Sequence, residues 1–359
     1  MRVLSPILNR MIYATLGRVG CFRSLAKPAV VTYHGVLPEG YRVSDPFLDD
    51  TLISRESFQA QLRFLKRHYN VIPPEGFLAW LRGADELPER SVLLTCDDGL
   101  LNNVTVMLPA LRQEELKCLF FVTGISADSD PGMLWYIELY LALMNARAGC
   151  GSLDWREIHV PAIEGRVDKR RSCWLQLIST LSRFSADDRV DFLAQATRTW
   201  GLDREWQRRY IDDPVLRHRF QLLGPNQVRE LSDAGMMIGA HTLSHPELSS
   251  QPCDLARSEI SQCRGILESC TACPVPAFAY PFGNPSAVGA REVGLVEQAG
   301  YECAFTNVPG VLTGANRFGL PRVHVTAHMS LGIFEAHVSG FHERLQRRLR
   351  RRTETRTVV

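Results

Sequence analysis

Two short stretches of the chain carry side chains that are able to hold a metal ion and to move protons. The first, Ser91–Gly99, is an apolar run that ends in two carboxylates, Asp97 and Asp98, and a glycine. Such a run, bounded by turn residues, is typical of a buried strand that delivers its last residues to one end of a sheet. Because neighbouring side chains of a strand point in different directions, one carboxylate can bind a cation while the other stays free as a base.

The second stretch, Ile238–Pro246, supplies two imidazoles, His241 and His245, four residues apart. That spacing places both rings on one side of a single turn. Pro246 disfavours helical backbone at His245, and we therefore expect the pair on a loop or a terminal turn. Two histidines and one carboxylate with an open position are a common ligand set of hydrolytic zinc sites.

Neither motif is strong by itself. An Asp-Asp-Gly sequence is more often a plain turn, and a histidine pair is more often two solvated side chains. Both motifs, however, follow an apolar strand-like run, and α/β folds carry their chemistry at that end of the strands.

The two motifs together resemble those of the polysaccharide deacetylases of the NodB-homology type (carbohydrate esterase family 4). The family motif Thr-Phe-Asp-Asp-Gly corresponds to Thr95–Gly99, and its motif His-Ser/Thr-x-x-His corresponds to His241–His245. The resemblance extends from Val30 to about Thr326, with one long interruption. It implies a hydrolase that removes N-acetyl groups with the help of a divalent metal, with Zn²⁺ as the expected ion.

The resemblance also implies roles for the residues of the first two motifs. Asp98, His241 and His245 would hold the metal, which lowers the pKa of a bound water toward ~7 and polarises the acetyl carbonyl. Asp97 would take the proton of that water as general base. The family's third motif corresponds to the turn Pro281-Phe282-Gly283, and a backbone N–H of this turn would donate to the oxyanion.

The sequence departs from the family pattern in two places. The third motif usually begins with an arginine that orients the base, and Ala279 stands there instead. We expect Arg322, near the end of the last predicted strand, to supply that charge. The usual final motif supplies a histidine as general acid, and His324 lies near that place in a different context. His34, at the end of the first strand, is the competing acid and the one we favour; a structural histidine is the alternative for either.

The elements that must position these residues alternate between strand and helix. Seven runs read as strands and predict a parallel sheet, which we assign to an α/β fold of the distorted, incompletely closed (β/α) barrel type. The predicted strands are 30–35, 92–95, 118–122, 236–240, 277–283, 301–306 and 320–325, and the predicted helices are 57–69, 108–114, 227–234, 254–267 and 292–299. In such a barrel the strand ends converge on one face.

One segment interrupts this alternation. Residues from about 125 to 222 show helical patterns and charge clusters but few strand signals, and we predict a mostly helical insertion beside the catalytic face. Its aromatic residues could stack on sugar rings, although most aromatics simply belong to a core; they are Trp135, Tyr136, Tyr140, Trp155, Trp174 and Trp206. The predicted organisation is thus an amphipathic segment at 1–27, a barrel domain at 28–340 with this insertion, and a basic tail at 341–359.

Composition limits the class of protein. The chain has 359 residues, 45% of them hydrophobic and 22% charged, with a net charge of +2 that argues against a general nucleic-acid binder. Its 10 cysteines are scattered, and we expect free thiols rather than a disulfide framework.

The two ends of the chain raise the question of location. Arginines interrupt the apolar residues of the first 27 residues, so that no signal peptide or membrane-spanning run is predicted. An amphipathic helix there would lie on an anionic membrane surface or pack under the barrel. The arginine-rich tail is either solvated or in contact with an anionic surface. We expect a cytoplasmic protein, with a peripheral position at the inner membrane as the alternative.

The expected function is metal-dependent N-deacetylation of an N-acetylated sugar in a bacterial cell-surface polysaccharide or its precursor. One alternative within enzymes is the deacetylation of a non-carbohydrate amide or of an O-acetyl ester. An alternative of another class is a catalytically weak protein that binds glycans in the same cleft, and Ala279 in the place of the family's arginine is its only support.

Overall fold

The computed structural model describes residues 28–42, 45–128, 132–203, 205–310, 312 and 315–345. The amphipathic segment predicted at 1–27 therefore lies outside the described residues, and the predicted basic tail is described only as far as residue 345. Within the described ranges, no helix is both long and apolar enough to cross a membrane. The nine cysteines in these ranges are all free.

Parallel strands form the centre of the molecule. Twelve strands are described: β1 (Ala29–Tyr33), β2 (Val36–Leu37), β3 (Ile53–Ser54), β4 (Asn70–Val71), β5 (Ser91–Cys96), β6 (Leu119–Val122), β7 (Leu153–Trp155), β8 (Ile158–Val160), β9 (Met237–Ala240), β10 (Ala277–Ala279), β11 (Cys303–Phe305) and β12 (Val323–His324). The main sheet has the order β11-β10-β9-β6-β5-β1-β12, and the short β4 pairs with the beginning of β5. All pairings in it are parallel.

The sheet curls until its two edges meet at a single point. An isolated parallel bridge joins Phe305 of β11 to Leu320, which lies just before β12. The predicted strand 320–325 is thus divided: Leu320 pairs with β11, whereas Val323 and His324 pair with β1. Pro321 between them has no N–H to donate, which prevents a continuous strand. The predicted distorted, incompletely closed (β/α) barrel is confirmed.

Helices cover the outside of the sheet. They are α1 (Pro46–Asp49), α2 (Arg55–His68), α3 (Pro74–Leu81), α4 (Leu108–Gln113, after a π turn at Asn103–Met107), α5 (Ile125–Asp128), α6 (Trp135–Asn145), α7 (Val167–Leu181), α8 (Ala186–Thr199), α9 (Arg208–Ile211), α10 (Arg217–Phe220), α11 (Pro225–Asp233), α12 (Cys253–Thr271), α13 (Ala290–Gln298) and α14 (Leu331–Val338). The predicted helices correspond to α2, α4, α11, α12 and α13. Two helices that flank or cover the barrel, α3 and α14, were not predicted.

The alternation of side chains along the strands explains where the chemistry lies. Alternate residues, such as Val30 and Leu93, point into the barrel and pack against Phe77 and Leu78 of α3, which closes the bottom. The residues between them pack against the outer helices. Directly after the strands, the inward series continues with polar groups. It reaches His34 after β1, Asp97 after β5 and His241 after β9.

Residues between α5 and α11 form a second, largely helical body. It has its own core, which includes the buried Tyr140, Trp155 and Trp200. Its helices are α6 to α10, and the two strands β7 and β8 pair only with each other as an antiparallel hairpin. The hairpin was not predicted. A buried ion pair between Arg219 Nε and Asp49 Oδ1, at 2.7 Å, ties this insertion to α1.

Candidate active site

Asp98, His241 and His245 lie together at the mouth of the barrel. Asp98 Oδ1 lies 3.5 Å from His241 Nε2 and 3.3 Å from His245 Nε2. All three side chains are buried, and one ligand atom from each lies within 4.8 Å of the others. Among the described residues, this is the group of three acidic, histidine or cysteine side chains whose geometry suits a metal ion.

The donor set fits a divalent ion. Two ligand atoms about 2.1 Å from a tetrahedral ion are roughly 3.4 Å apart, and this spacing agrees with the Asp98–His241 and Asp98–His245 distances. His241 Nδ1 lies 2.7 Å from the carbonyl oxygen of Ala279. Because a carbonyl only accepts hydrogen bonds, the proton of neutral His241 is on Nδ1 and its Nε2 lone pair is free for a metal.

The backbone of the site adopts conformations that residues other than glycine rarely use. Positive φ angles occur at Asp98 (76°), Thr242 (64°), His245 (59°) and Phe282 (61°). Each such residue costs of order 1–3 kcal/mol unless the surrounding structure enforces it. Next to Asp98, Gly99 also has a positive φ of 74°, and a Cβ there would lie 3.0 Å from the side chain of Val122.

Asp97 does not join the metal ligands but forms a buried ion pair with Arg322. Arg322 Nη1 donates to Asp97 Oδ1 at 2.7 Å, and Nη2 donates to Oδ2 at 2.6 Å. Burial of Asp97 raises its pKa, but the Arg322 charge and nearby His241 outweigh burial and hold the pKa below its usual value. Asp97 is therefore a carboxylate near neutral pH.

Arg322 is itself fixed from several sides. Its Nε donates to the carbonyl of Thr306 at 3.0 Å, and Nη2 donates to Asn307 Oδ1 at 2.7 Å. The guanidinium carbon lies 5.6 Å from the ring centre of Phe121. The place of the family's arginine, Ala279, contributes only its carbonyl, which binds His241. The charge next to Asp97 thus comes from the segment before β12 rather than from the third motif.

His34 and His324 lie side by side next to Asp97. Their ring centres are 4.7 Å apart, and the Asp97 N–H donates to the carbonyl of Tyr33, at 2.9 Å, which places His34 at the level of Asp97. His34 is partly exposed. Burial and the charges of His34 and Arg322 lower the pKa of His324 to about 3, and His324 is neutral near pH 7. Neither His34 Nδ1 nor His324 Nε2 has a partner among the described residues.

The turn Pro281-Phe282-Gly283 borders the metal ligands. The Phe282 ring lies 5.2 Å from that of His245. Pro281 has no N–H, and the N–H of Gly283 donates to the Pro281 carbonyl at 2.7 Å. A Cβ at Gly283 would lie 2.7 Å from the backbone nitrogen of Asn307, which explains the glycine. The Phe282 N–H, which makes no hydrogen bond within the described ranges, is thereby left as the available donor of this turn.

The insertion contributes two residues to the site that the sequence did not single out. Tyr136 is partly exposed, and its ring centre lies 5.1 Å from that of His245 and 5.9 Å from that of Phe282. Trp135 donates from Nε1 to the His245 carbonyl at 2.9 Å. From the sequence, both are only members of the set of six aromatic residues in the predicted insertion. The other four of that set are buried in the core of the insertion.

Comparison with known proteins agrees with these features. A family model described as polysaccharide deacetylase matches residues 195–304, which include both histidines of the metal group and the turn at 281–283. A putative polysaccharide deacetylase of Bacillus subtilis, YxkH, is 25% identical over 119 residues. The match spans 33% of this chain and 42% of that relative.

The fold is shared with solved deacetylase structures. The Streptococcus pyogenes deacetylase PplD in complex with acetate has a TM-score of 0.55 at 16% identity, and covers 87% of this chain and 98% of its own. IcaB from Ammonifex degensii has a TM-score of 0.53 at 18% identity, with 88% and 97% covered. A de-N-acetylase from Aggregatibacter actinomycetemcomitans has a TM-score of 0.54 at 14% identity, with 86% and 99% covered. The predicted resemblance to the polysaccharide deacetylases is confirmed, by the family model over residues 195–304 and by the shared fold.

Proposed function

We propose that this protein is a metal-dependent hydrolase that removes the N-acetyl group from a sugar of a bacterial cell-surface polysaccharide or its precursor. The observation that carries the proposal is the juxtaposition of a buried Asp98–His241–His245 group with a second carboxylate, Asp97, held as an anion by Arg322. One structural neighbour, the de-N-acetylase from Aggregatibacter actinomycetemcomitans, supports an N-acetyl substrate.

The ligand group would hold a divalent ion, with Zn²⁺ as the expected one, through His241 Nε2, His245 Nε2 and the Asp98 carboxylate. When bound, the ion polarises the acetyl carbonyl and makes water more acidic. Asp97 is the general base and accepts a proton from the attacking water. Both of its oxygens are bound by Arg322, which orients the carboxylate.

The negative charge that develops on the carbonyl oxygen needs a fixed donor. The Phe282 N–H is the donor we assign, because the other backbone groups of its turn are occupied or absent. The donor is in place before substrate binds, which is what stabilises a transition state at no cost of reorganisation.

The departing amine requires a proton, and two histidines compete for this role. We assign it to His34. It is partly exposed, whereas His324 is largely buried and has a pKa lowered to about 3 by burial and by the charges of His34 and Arg322. A neutral His324 has no extra proton to give at pH 7. It packs against His34, with 4.7 Å between ring centres, and limits the positions of that ring.

The test is acetate release from N-acetylated oligosaccharides by the full-length protein, with and without a chelator. We expect activity that the chelator abolishes and that added Zn²⁺ restores. His241→Ala should lose both activity and metal. Asp97→Asn should retain metal and lose roughly 10²–10⁴-fold in rate, the contribution of a general base. Full metal occupancy in His241→Ala would refute the ligand assignment.

The same panel addresses the alternatives. Acetate release from acetyl esters or from non-carbohydrate amides, but not from N-acetylated sugars, would show that the substrate is one of those compounds and not a sugar amide. Tight glycan binding without acetate release in the metal-loaded protein would indicate a glycan-binding protein. The intact Asp97–Arg322 pair argues against the latter, because it supplies the orienting charge that Ala279 lacks.

A further inference from the structure

We propose that Arg189, on helix α8 of the insertion, is a positioning residue for the histidine loop, and that the affinity of the site for its metal depends on it. The inference rests on the proposed metal site and goes beyond it, because it assigns the insertion a part in building that site. It starts from a buried polar chain that runs from Arg189 through Ser244 to Glu259.

Ser244 lies in the loop between the two histidine ligands, next to His245. Arg189 Nη2 donates to Ser244 Oγ, and Ser244 Oγ donates to Glu259 Oε1. The backbone N–H of Ser244 donates to Glu259 Oε2 at 2.8 Å. Arginine only donates and a carboxylate only accepts, so the direction of each hydrogen bond is determined. The chain therefore fixes both the side chain and the backbone of Ser244.

The surroundings make this chain rigid. The side chains of Arg189 and Glu259 are 2% and 8% exposed, and Arg189 Nη2 lies 3.8 Å from Glu259 Oε1. The guanidinium carbon of Arg189 also lies 5.1 Å from the ring centre of Trp135, the residue that donates to the His245 carbonyl. Arg189 Nη1 donates to the Phe184 carbonyl at 2.8 Å. Buried polar groups that are hydrogen-bonded to one another in this way favour one arrangement.

The loop needs such support. Thr242 and His245 both have positive φ angles, which cost energy unless neighbours enforce them. The barrel holds the first half of the loop, where the N–H groups of Gly124 and Ile125 donate to the carbonyls of Thr242 and Leu243, both at 3.0 Å. Arg189 and Trp135 of the insertion hold the second half, at Ser244 and at the His245 carbonyl, together with Glu259 of α12. Without the two insertion residues, we expect His245 to be held less firmly in its position opposite Asp98.

The experiment measures metal binding directly. Chelator-stripped full-length protein is titrated with Co²⁺, read by its visible absorption, and with Zn²⁺, read by calorimetry. Arg189→Met should raise the Kd for both ions by roughly 10–100-fold, the loss expected when a partner behind a ligand is removed. Ser244→Ala should raise it by a similar factor. Arg189→Lys should give a metal Kd between those of the wild type and Arg189→Met, because one ammonium group cannot reproduce the geometry of the guanidinium fork.

Arg170 of the same insertion provides the matched control. It is also buried, but all hydrogen bonds of its guanidinium within the described ranges go to carbonyl groups of the insertion, those of Leu143, Met144, Ala146 and Glu164. Arg170→Met should destabilise the insertion and leave the metal Kd within about threefold of wild type, since it does not touch the histidine loop. Melting curves measure the loss of stability in each variant.

Three results would overturn the inference. They are an unchanged metal Kd in both Arg189→Met and Ser244→Ala, an equal rise in Arg170→Met, and a wild-type protein that binds neither ion. If Arg189→Met does not fold, Ser244→Ala decides, because it removes only one hydroxyl. A wild type that binds metal but releases no acetate would refute the proposed function and leave this inference standing.

Discussion

The barrel and the insertion each bring one buried arginine to the site. The two arginines bind different partners. Arg322 of the barrel binds both oxygens of Asp97, a group that we place in the reaction. Arg189 of the insertion binds Ser244, which takes no part in the reaction but lies between two metal ligands. The barrel thus supplies the groups that we place in the reaction, and the insertion adds to the support behind them.

The charge beside Asp97 does not come from the third motif, where Ala279 stands. The family places its arginine in the third motif, whereas here the segment before β12 delivers a guanidinium to the same carboxylate. Strand ends of a barrel converge on one face, so a charge lost from one strand end can be supplied from another. In this chain, Arg322 provides the charge beside Asp97 from the last part of the barrel.

The largest effect should follow the loss of Arg322. Arg322→Met leaves Asp97 buried without a cation, and we expect about 3–5 kcal/mol of destabilisation. Burial then raises the pKa of Asp97, so the acid limb of the rate profile should move to higher pH while the rate falls by roughly 10²–10⁴-fold. Denaturant unfolding and kcat/KM against pH measure the two effects.

The pH dependence of stability sharpens this prediction. The folded-state pKa of Asp97 lies below its unfolded value of 3.8. The pair therefore stabilises the fold above that pH and loses its effect as the pH falls through the folded-state pKa. The difference between wild type and Arg322→Met should be greatest near pH 7 and shrink in acid. The control is Arg82→Met, because Arg82 makes the same two-bonded contact with Glu302 at an exposed position. Its cost should be small beside that of Arg322→Met and should vary little with pH near neutrality, because solvent screens the exposed pair.

A smaller effect is expected at His34. His34→Ala should slow hydrolysis of an amide by roughly 10²-fold and spare an activated ester, whose leaving group needs little protonation. The alkaline limb of the rate profile on the amide should disappear. His324→Ala should slow both substrates to a similar extent, because the neutral ring acts on the position of His34. The opposite pattern in the two variants would make His324 the acid.

The smallest effect concerns Tyr136, the insertion residue that faces the substrate side. Loss of a stacking ring costs about 1–1.5 kcal/mol, so Tyr136→Leu should raise KM for an oligosaccharide by roughly tenfold, with kcat little changed. Tyr136→Phe should behave like wild type if the ring alone is used. Phe47→Leu is the control, since that exposed ring contacts Tyr140 and Trp174 and, among the described residues, no residue of the site. An equal effect in Phe47→Leu would argue against a specific role for Tyr136.

The sequence predicted the barrel better than the insertion, for a physical reason. Strands buried on both faces leave continuous apolar runs, and the runs that end in Asp97 and His241 are of this kind. The last strand was predicted too long, because a single run of β-forming residues pairs with two different neighbours on either side of Pro321. Pairing partners are a property of the folded sheet and not of the run itself.

The site residues that were not predicted from the sequence are brought to the site by tertiary contacts. Nothing near Arg189 in the sequence distinguishes it from the other arginines of the insertion, since its partners Ser244 and Glu259 are distant in the chain. Tyr136 likewise belongs to a helix whose neighbouring aromatics are all core. The motif at 241–245 indicates a ligand pair but carries no signal of what holds the loop from behind.

The point at which the sheet closes has a consequence for how the protein is made. Asp97 and Arg322 are separated by 225 positions, and the pairing of β1 with β12 that brings them together joins the two ends of the domain. A growing chain emerges from its N-terminal end, and contacts of such long separation form late. We expect a ribosome-bound chain to assemble the metal ligands before it acquires the cation that keeps its base ionised. Catalytic competence is thus deferred until almost the whole domain has been synthesised.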